Sequence, residues 1–247
     1  MKKIFKNILK FFLRFLSVKL IIFFIKKILY FKFLSLDTKY VLKNLLDLDN
    51  FIYQLTGNFA VKYGNGIHVK KRLINYIDYF ELQTLKMGGP CIDIGCGDGE
   101  LAKRISENKI YVLGIDKSKK MIQKAKKYES KYLRFLENDF LNIKTKKKFN
   151  VVILSNVLEH VNQRISFLIN IKKKLKPKFF IIRVPVFDRD WRVPLKKELG
   201  IEWRLDNTHY IEYTKETLLN ELLRSNIDII DYKSNWGEIW LTGKVKR

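Results

Sequence analysis

The chain has three histidines, and each stands among residues that could do chemistry. His160 follows Glu159 in "NVLEHV", His209 lies in "WRLDNTHYIEYTKETL", and His68 lies in "YGNGIHVKKRL". Imidazole titrates near neutrality, so it suits removal of a proton from an attacking group. A second concentration of chemistry is "CIDIGCGDGE", residues 91–100, where Gly95, Gly97 and Gly99 lie behind Asp93. Glycines at this spacing let a backbone turn approach a nucleotide-like ligand closely.

What the glycine stretch lacks narrows its ligand. The dinucleotide fingerprint places its third glycine where Glu100 stands, and no Gly-Lys-Ser/Thr follows at phosphate-loop spacing. Asp93 would repel a pyrophosphate, whereas it would attract a cofactor carrying an ammonium and a sulfonium. Asp116 ends "VLGID", 23 residues after Asp93, where an acid at the tip of a second strand can accept ribose hydroxyls.

At this point "CIDIGCGDGELA" resembles motif I of the class I S-adenosylmethionine-dependent methyltransferases, and of their type 11 branch in particular. Further segments match in order over roughly residues 88–247. "LENDF" puts Asp139 and Phe140 where the family contacts the adenine amino group and stacks on its ring, although a turn aspartate capping a helix is the plainer reading of Asp139. "FNVVILSNVLEHV" resembles motif IV, the fourth strand and the loop beside the reacting methyl, with Ser155 and Asn156 at its end. The resemblance implies S-adenosyl-L-methionine as cofactor, contacted by Asp93, Gly95, Cys96, Gly97, Gly99, Asp116, Asp139, Phe140, Ser155, Asn156 and, from a lid-like turn, His68. It also implies an α/β Rossmann-like three-layer sandwich. Its sheet would have seven mostly parallel strands, with one antiparallel strand in a C-terminal hairpin.

For the acceptor, His160, His209 and Glu159 are the candidate catalytic residues. The Glu159-His160 pair resembles that of quinone-precursor O-methyltransferases, in which residues at this place can bind a divalent cation. Where those enzymes put an acid three residues earlier, this chain has Asn156, so no metal is expected. An orienting pair at the methionine end of the pocket is the alternative. An insertion at 186–213 holds Arg189, Asp190, Trp191, Arg192 and Asp206, a set suited to a sugar or an anionic group. With "HYIEYTKETL" and "WGEIW", the His68 segment resembles a bacterial methyltransferase subgroup associated with surface-polysaccharide synthesis. The leading expectation is therefore O-methylation of a glycan, free or lipid-linked, and the alternative is a quinone precursor or other lipid.

The elements that must position these residues are visible as alternating apolar runs and amphipathic stretches. Strands are expected at 91–94, 111–115, 132–136, 151–154, 179–184, 227–233 and 239–245, with Asn235-Trp236-Gly237 turning the last hairpin. Helices are expected at 100–108, 117–130, 161–175 and 214–225. The expected division is an N-terminal segment 1–34, a helical cap 35–87 and the methyltransferase domain 88–247.

The formal charge of +24 favours anionic partners. Residues 1–34 hold nine Lys or Arg and no acid. Lys2, Lys3, Lys6, Lys10 and Arg14 fall on one helical arc, with Ile4, Phe5, Ile8, Phe11, Phe12 and Phe15 largely elsewhere, as in a helix lying on an anionic membrane surface. Charged residues interrupt the apolar stretch 11–34, which disfavours a span. Packing on the domain or a partner is the alternative. No base-flipping motif or RNA-binding module accompanies the charge, so nucleic acid is not an expected partner. The two cysteines, Cys91 and Cys96, are too few and too close for a disulfide framework. A cytoplasmic location, peripheral on the inner membrane face, is the expectation that results.

Overall fold

The computed structural model describes residues 18–34, 36–142, 145 and 147–246. The chain divides into two compact units between Tyr53 and Gln54. Two long helices, α1 (Val18–Phe33) and α2 (Thr38–Tyr63), come first. No residue of α1 is buried: Phe23, Phe24, Ile28, Tyr30 and Phe31 all stand exposed beside Lys19, Lys26, Lys27 and Lys32. Among the described residues, no helix is long and apolar enough to cross a membrane. The basic arc from Lys2 to Arg14 lies outside the described residues.

The second unit is built on a seven-stranded sheet in the order β3-β2-β1-β4-β5-β7-β6. In chain order, α3 (Val69–Ile74) and α4 (Tyr76–Met87) lead into β1 (Cys91–Ile94), α5 (Glu100–Ser106), β2 (Val112–Asp116), α6 (Lys119–Ala125) and β3 (Leu133–Glu137). Then follow β4 (Val151–Ser155), α7 (Arg164–Leu175), β5 (Phe179–Pro185), α8 (Arg192–Glu198), α9 (Lys215–Arg224), β6 (Ile227–Asn235) and β7 (Glu238–Val245). Strands β1 to β5 pair in parallel, and β7 runs antiparallel to both β5 and β6. Trp236 and Gly237 both take positive φ, 53° and 74°, the geometry a two-residue hairpin needs.

Side-chain alternation sorts the strands onto two faces. Val152, Leu154, Phe180 and Ile182 pack with Phe167, Leu168 and Ile171 of α7 and Leu218 and Leu222 of α9. On the other face Cys91, Val151, Ile153 and Ile181 meet Tyr76, Tyr79 and Phe80 of α4 and Leu101, Ala102 and Ile105 of α5. Burial on both faces explains why these strands read as unbroken apolar runs. Each observed strand starts and ends within two residues of its expected bounds, and the expected sandwich is present. Helix α8 departs from expectation, because its polar sequence inside the insertion reads as loop. The strand order reverses between β1 and β4, so ligands are expected outside their carboxyl ends.

Candidate active site

At the carboxyl end of β1 the chain turns through Gly95, Gly97 and Gly99, with φ of 74°, 55° and 80°. Gly95 N and Cys96 N both donate to Ile115 O, at 2.7 and 3.0 Å, which ties the loop to the end of β2. A Cβ at Gly99 would lie 2.6 Å from Phe135 Cζ and 2.8 Å from Ala125 Cβ. Gly99 thus provides the close helix-to-sheet packing that the dinucleotide fingerprint assigns one residue later, at Glu100. A Cβ at Gly97 would meet nothing within 4 Å, so this backbone faces open space where a ligand can approach. The Cys96 side chain is buried towards Gly114 and offers a ligand only its backbone.

Two carboxylates flank the loop. Asp116 Oδ2 accepts from Gly97 N at 2.9 Å and its Oδ1 from Ser118 N at 2.8 Å, which fixes its orientation at the tip of β2. Asp93 is 1% exposed, and its Oδ2 has no hydrogen-bond partner among the described residues. Burial, and then the charge of Asp116, pushes the Asp93 carboxyl up to about 8. A buried carboxylate without a donor is costly, and a cationic ligand would relieve that cost. The site therefore fits the ammonium and sulfonium of the expected cofactor.

Other expected cofactor contacts are placed unevenly. Ser155 ends β4, and Asn156 follows in a left-handed conformation, φ 56°, with its N–H donating to Arg183 O at 2.9 Å. Asp139 is exposed just beyond β3, whereas the Phe140 ring is 4% exposed and packs edge-to-face on Phe167 in the core. His68 caps α3, its Nδ1 accepting from Lys70 N at 3.0 Å. The helix it starts does reach the glycine loop: Lys71 Nζ lies 2.8 Å from Glu100 Oε2 and 3.8 Å from Asp98 Oδ2. His68 itself is not brought to the other two histidines.

Those two histidines do meet. Glu159 and His160 sit in a tight turn, Leu158–His160, just past β4. Tyr210 N donates to Glu159 O at 2.7 Å, which docks the insertion on this turn. The His160 and His209 rings then stand 4.7 Å apart, centroid to centroid, with an interplanar angle of 77°. His160 Nδ1 lies 3.0 Å from Thr208 Oγ1, and His209 Nδ1 lies 3.2 Å from Glu212 Oε1. Glu159 is 0% exposed, and neither carboxylate oxygen has a partner among the described residues. Burial pushes its carboxyl up to about 7, while burial and then His209 hold His160 below its ordinary value. One ligand atom from each of Glu159, His160 and His209 falls within 4.8 Å of the others, so this trio could also hold a metal ion. Asn156, where an acid was the condition for a metal, takes no part. His209 arrives from the insertion instead.

The insertion's charges are used at home. Arg192 grips Asp190 with two bonds, Nε to Oδ1 at 2.9 Å and Nη2 to Oδ2 at 2.6 Å. Arg204 holds Glu202 in the same way, at 2.9 and 2.7 Å. Arg189 donates to Glu212, to Val186 O and to Trp203 O. These cations are thus engaged by neighbours in the insertion, the region expected to suit a sugar or an anionic group.

A second buried cluster has no counterpart in the sequence reading. Glu238 receives Arg183 Nε at 2.7 Å, Arg183 Nη2 at 2.8 Å, Lys70 Nζ at 2.8 Å and Trp240 Nε1 at 3.0 Å. Burial alone would raise its carboxyl, but Arg183 and Lys70 bring it down to about 2. The Arg183 guanidinium lies 3.8 Å over the Tyr76 ring. The available signal was a lone charge in each of two apolar strands, "FFIIRVP" and "EIWLTG".

Comparison with known proteins agrees with this geometry. Residues 66–232 match the protein family described as "Methyltransferase domain". The chain is similar to the ubiquinone biosynthesis O-methyltransferase of Rickettsia bellii, 28% identical over 174 residues covering 67% of this chain and 69% of that protein. The corresponding protein of Pelagibacter ubique is 30% identical over 143 residues, 55% of this chain and 59% of that one. Among solved structures, magnesium protoporphyrin IX methyltransferase from Synechocystis with bound SAH superposes with a TM-score of 0.57 at 16% identity, over 70% of this chain and 83% of that chain. An S-adenosylmethionine-dependent methyltransferase from Clostridium acetobutylicum gives 0.56 at 15% identity, over 75% and 99%.

Proposed function

The chain belongs to the class I S-adenosylmethionine-dependent methyltransferases, and from that premise we propose that it methylates a ring hydroxyl of a quinone precursor. Two things rank this acceptor above a glycan: the named relatives are ubiquinone biosynthesis O-methyltransferases, and the insertion's arginines are paired with carboxylates of the same insertion. The observation that carries the reading is the convergence of Glu159, His160 and His209 beside the carboxyl ends of the central strands.

S-adenosylmethionine, when bound, supplies a methyl group on a sulfonium whose departure as a thioether needs no acid. The chain's part is alignment and proton removal. The glycine loop and Asp116 would hold the ribose side with backbone and carboxylate, and Asp93 would hold the cationic end. An acceptor hydroxyl set against Glu159 and His160 would give up its proton to this cluster, leaving an oxygen nucleophile for the methyl group that the cofactor would supply. Groups that titrate at or below neutrality suit that task, because they are free to accept a proton near pH 7.

The unpartnered oxygens of Glu159 favour a second use of the same cluster. Glu159, His160 and His209 offer one carboxylate and two imidazoles, a donor set that suits a divalent cation. Such an ion would supply Lewis acidity to the acceptor hydroxyl. Assay of the purified protein with labelled S-adenosylmethionine and dihydroxy-aromatic acceptors, with and without a chelator, tests both. Methyl ether formation is expected in either case, and its loss on chelation, restored by Mg²⁺ or Mn²⁺, assigns the cation. Absence of any ring-methylated product overturns the acceptor.

We also propose that α1 lies on an anionic membrane face, which would bring the enzyme to a lipid acceptor. Its exposed aromatics, four lysines and lack of acids support this. The full chain is expected to bind vesicles containing phosphatidylglycerol, and a chain lacking residues 1–34 to bind only S-adenosylmethionine. Equal vesicle binding by both would overturn it.

A further inference from the structure

We propose that Asp206, Thr208 and Glu212 are positioning residues that fix the ring tautomers of His160 and His209, so that both rings turn an unprotonated Nε2 towards the acceptor. This rests on the reading of Glu159, His160 and His209 as the reacting cluster, and concerns which nitrogen of each ring carries the proton.

For His160 the argument follows one hydroxyl proton. Thr208 N donates to Asp206 Oδ1 at 2.8 Å, and Thr208 Oγ1 donates to the same oxygen at 2.7 Å. Asp206 Oδ1 accepts from both, and a carboxylate offers only lone pairs. A hydroxyl has one proton, and that of Thr208 is committed to Asp206. Towards His160 Nδ1, 3.0 Å away, Thr208 Oγ1 can therefore only accept. His160 must carry its proton on Nδ1, and Nε2 is left with a lone pair.

For His209 the partner is itself a carboxylate. Glu212 is buried and already receives the Leu205 N–H and the Arg189 guanidinium, so its oxygens serve as acceptors. Facing Glu212 Oε1 at 3.2 Å, His209 Nδ1 must donate, and its Nε2 is likewise bare. The His209 N–H bonds Asp206 O at 3.1 Å, which keeps both acceptors in one rigid piece of the insertion.

A structural role alone would not call for this arrangement. Two histidines packed at 4.7 Å could share a proton, one ring donating to the other. Here each Nδ1 is engaged by a partner from the insertion, Thr208 or Glu212, and the Glu159 carboxylate beside the rings has no partner among the described residues. Three acceptors together are stable only when a proton or a cation joins them, which is the event the reaction supplies. The insertion, expected to grip the acceptor, instead sets the protonation pattern of the groups that do.

Long-range ¹H–¹⁵N correlation spectra of the metal-free full chain, labelled with ¹⁵N-histidine and recorded where the rings are neutral, read the tautomers directly. The wild type is expected to show His160 and His209 with the proton on Nδ1. Thr208→Val should shift His160 towards the Nε2-protonated form, leave His209 unchanged and lower kcat by roughly 10–100-fold at constant S-adenosylmethionine affinity. Thr208→Ser should restore both. A wild-type His160 protonated on Nε2, or a folded Thr208→Val protein with unchanged tautomers, overturns the proposal. If Thr208→Val does not fold, the wild-type spectrum alone decides. Correct tautomers in a protein that methylates no ring hydroxyl would leave the positioning intact and remove the acceptor reading, so the two failures are distinguishable.

Discussion

The proposed donor end and the proposed acceptor end of this site are built by opposite means. Around the donor, Asp93, Gly95, Gly97, Gly99 and Asp116 come from one β-α-β passage, and what matters is backbone: positive φ at three glycines and an N–H from Gly97 to Asp116. Around the acceptor, Glu159 and His160 come from one end of β4 and His209 from an insertion 49 residues later, and what matters is side-chain lone pairs. Backbone constraints of this kind are written in neighbouring residues. A side-chain cluster is written only in the packing that closes the gap.

The largest effect should separate the two ends. His209→Ala and His160→Ala are each expected to lower kcat by about 10²–10⁴-fold, the usual range for losing an acid–base group, with S-adenosylmethionine affinity by calorimetry unchanged. A parallel fall in cofactor affinity would mean that the ends are not separable.

Next in size is the buried pair behind them. Glu238→Gln removes a carboxylate from Arg183 and Lys70 and should cost about 3–5 kcal/mol in urea unfolding. Because the folded Glu238 carboxyl sits at about 2, its contribution is present above the unfolded value of about 4.3 and is lost as pH falls towards 2. The acid limb of the wild-type stability curve should therefore flatten in the variant.

Asp93 titrates in the other direction. Its folded value of about 8 lies above the unfolded value of about 3.9, so its neutral form favours the folded apoprotein at low pH, and that advantage is lost as pH rises through 8. A cationic cofactor favours the charged form. Affinity for S-adenosylmethionine should thus tighten by up to about tenfold per pH unit between pH 6.5 and 8 and level off above. In Asp93→Asn the profile should be flat and weak; a flat wild-type profile would break the assignment of Asp93 to the cationic end.

The smallest effect tests the insertion. Arg192 and Asp190 are both partly exposed and paired to each other, so Arg192→Gln should change stability by at most about 1 kcal/mol and leave KM for a phenolic acceptor nearly unchanged. A steep rise in KM would return the arginines to acceptor binding and favour the glycan.

These differences follow what a sequence can and cannot show. The strands were legible because burial on both faces makes "CIDI", "VVIL" and "FFIIRV" unbroken apolar runs. The glycine turn was legible, but spacing does not reveal that Gly99 lies against Phe135 and takes the packing role the dinucleotide fingerprint gives its third glycine. His68 read as part of a lid, and nothing local shows that its Nδ1 also accepts from Lys70 N as the cap of α3. Phe140 read as an adenine platform, yet its ring turns into the core against Phe167. Arg189 and Arg192 looked available because their partners Glu212 and Asp190 are equally polar neighbours in the same loop. His209 could be named as a candidate, but its meeting with Glu159 depends on Tyr210 docking the insertion on the β4 turn.

The most direct test is mass spectrometry of the product formed by the purified chain from methyl-labelled S-adenosylmethionine and a prenylated dihydroxybenzene, for wild type and His209→Ala side by side. One labelled methyl ether on a ring oxygen in the wild type, nearly absent in His209→Ala at equal cofactor occupancy, is the predicted result. A wild type that leaves the ring oxygens unmethylated, or a His209→Ala protein that turns over at the wild-type rate, would contradict it.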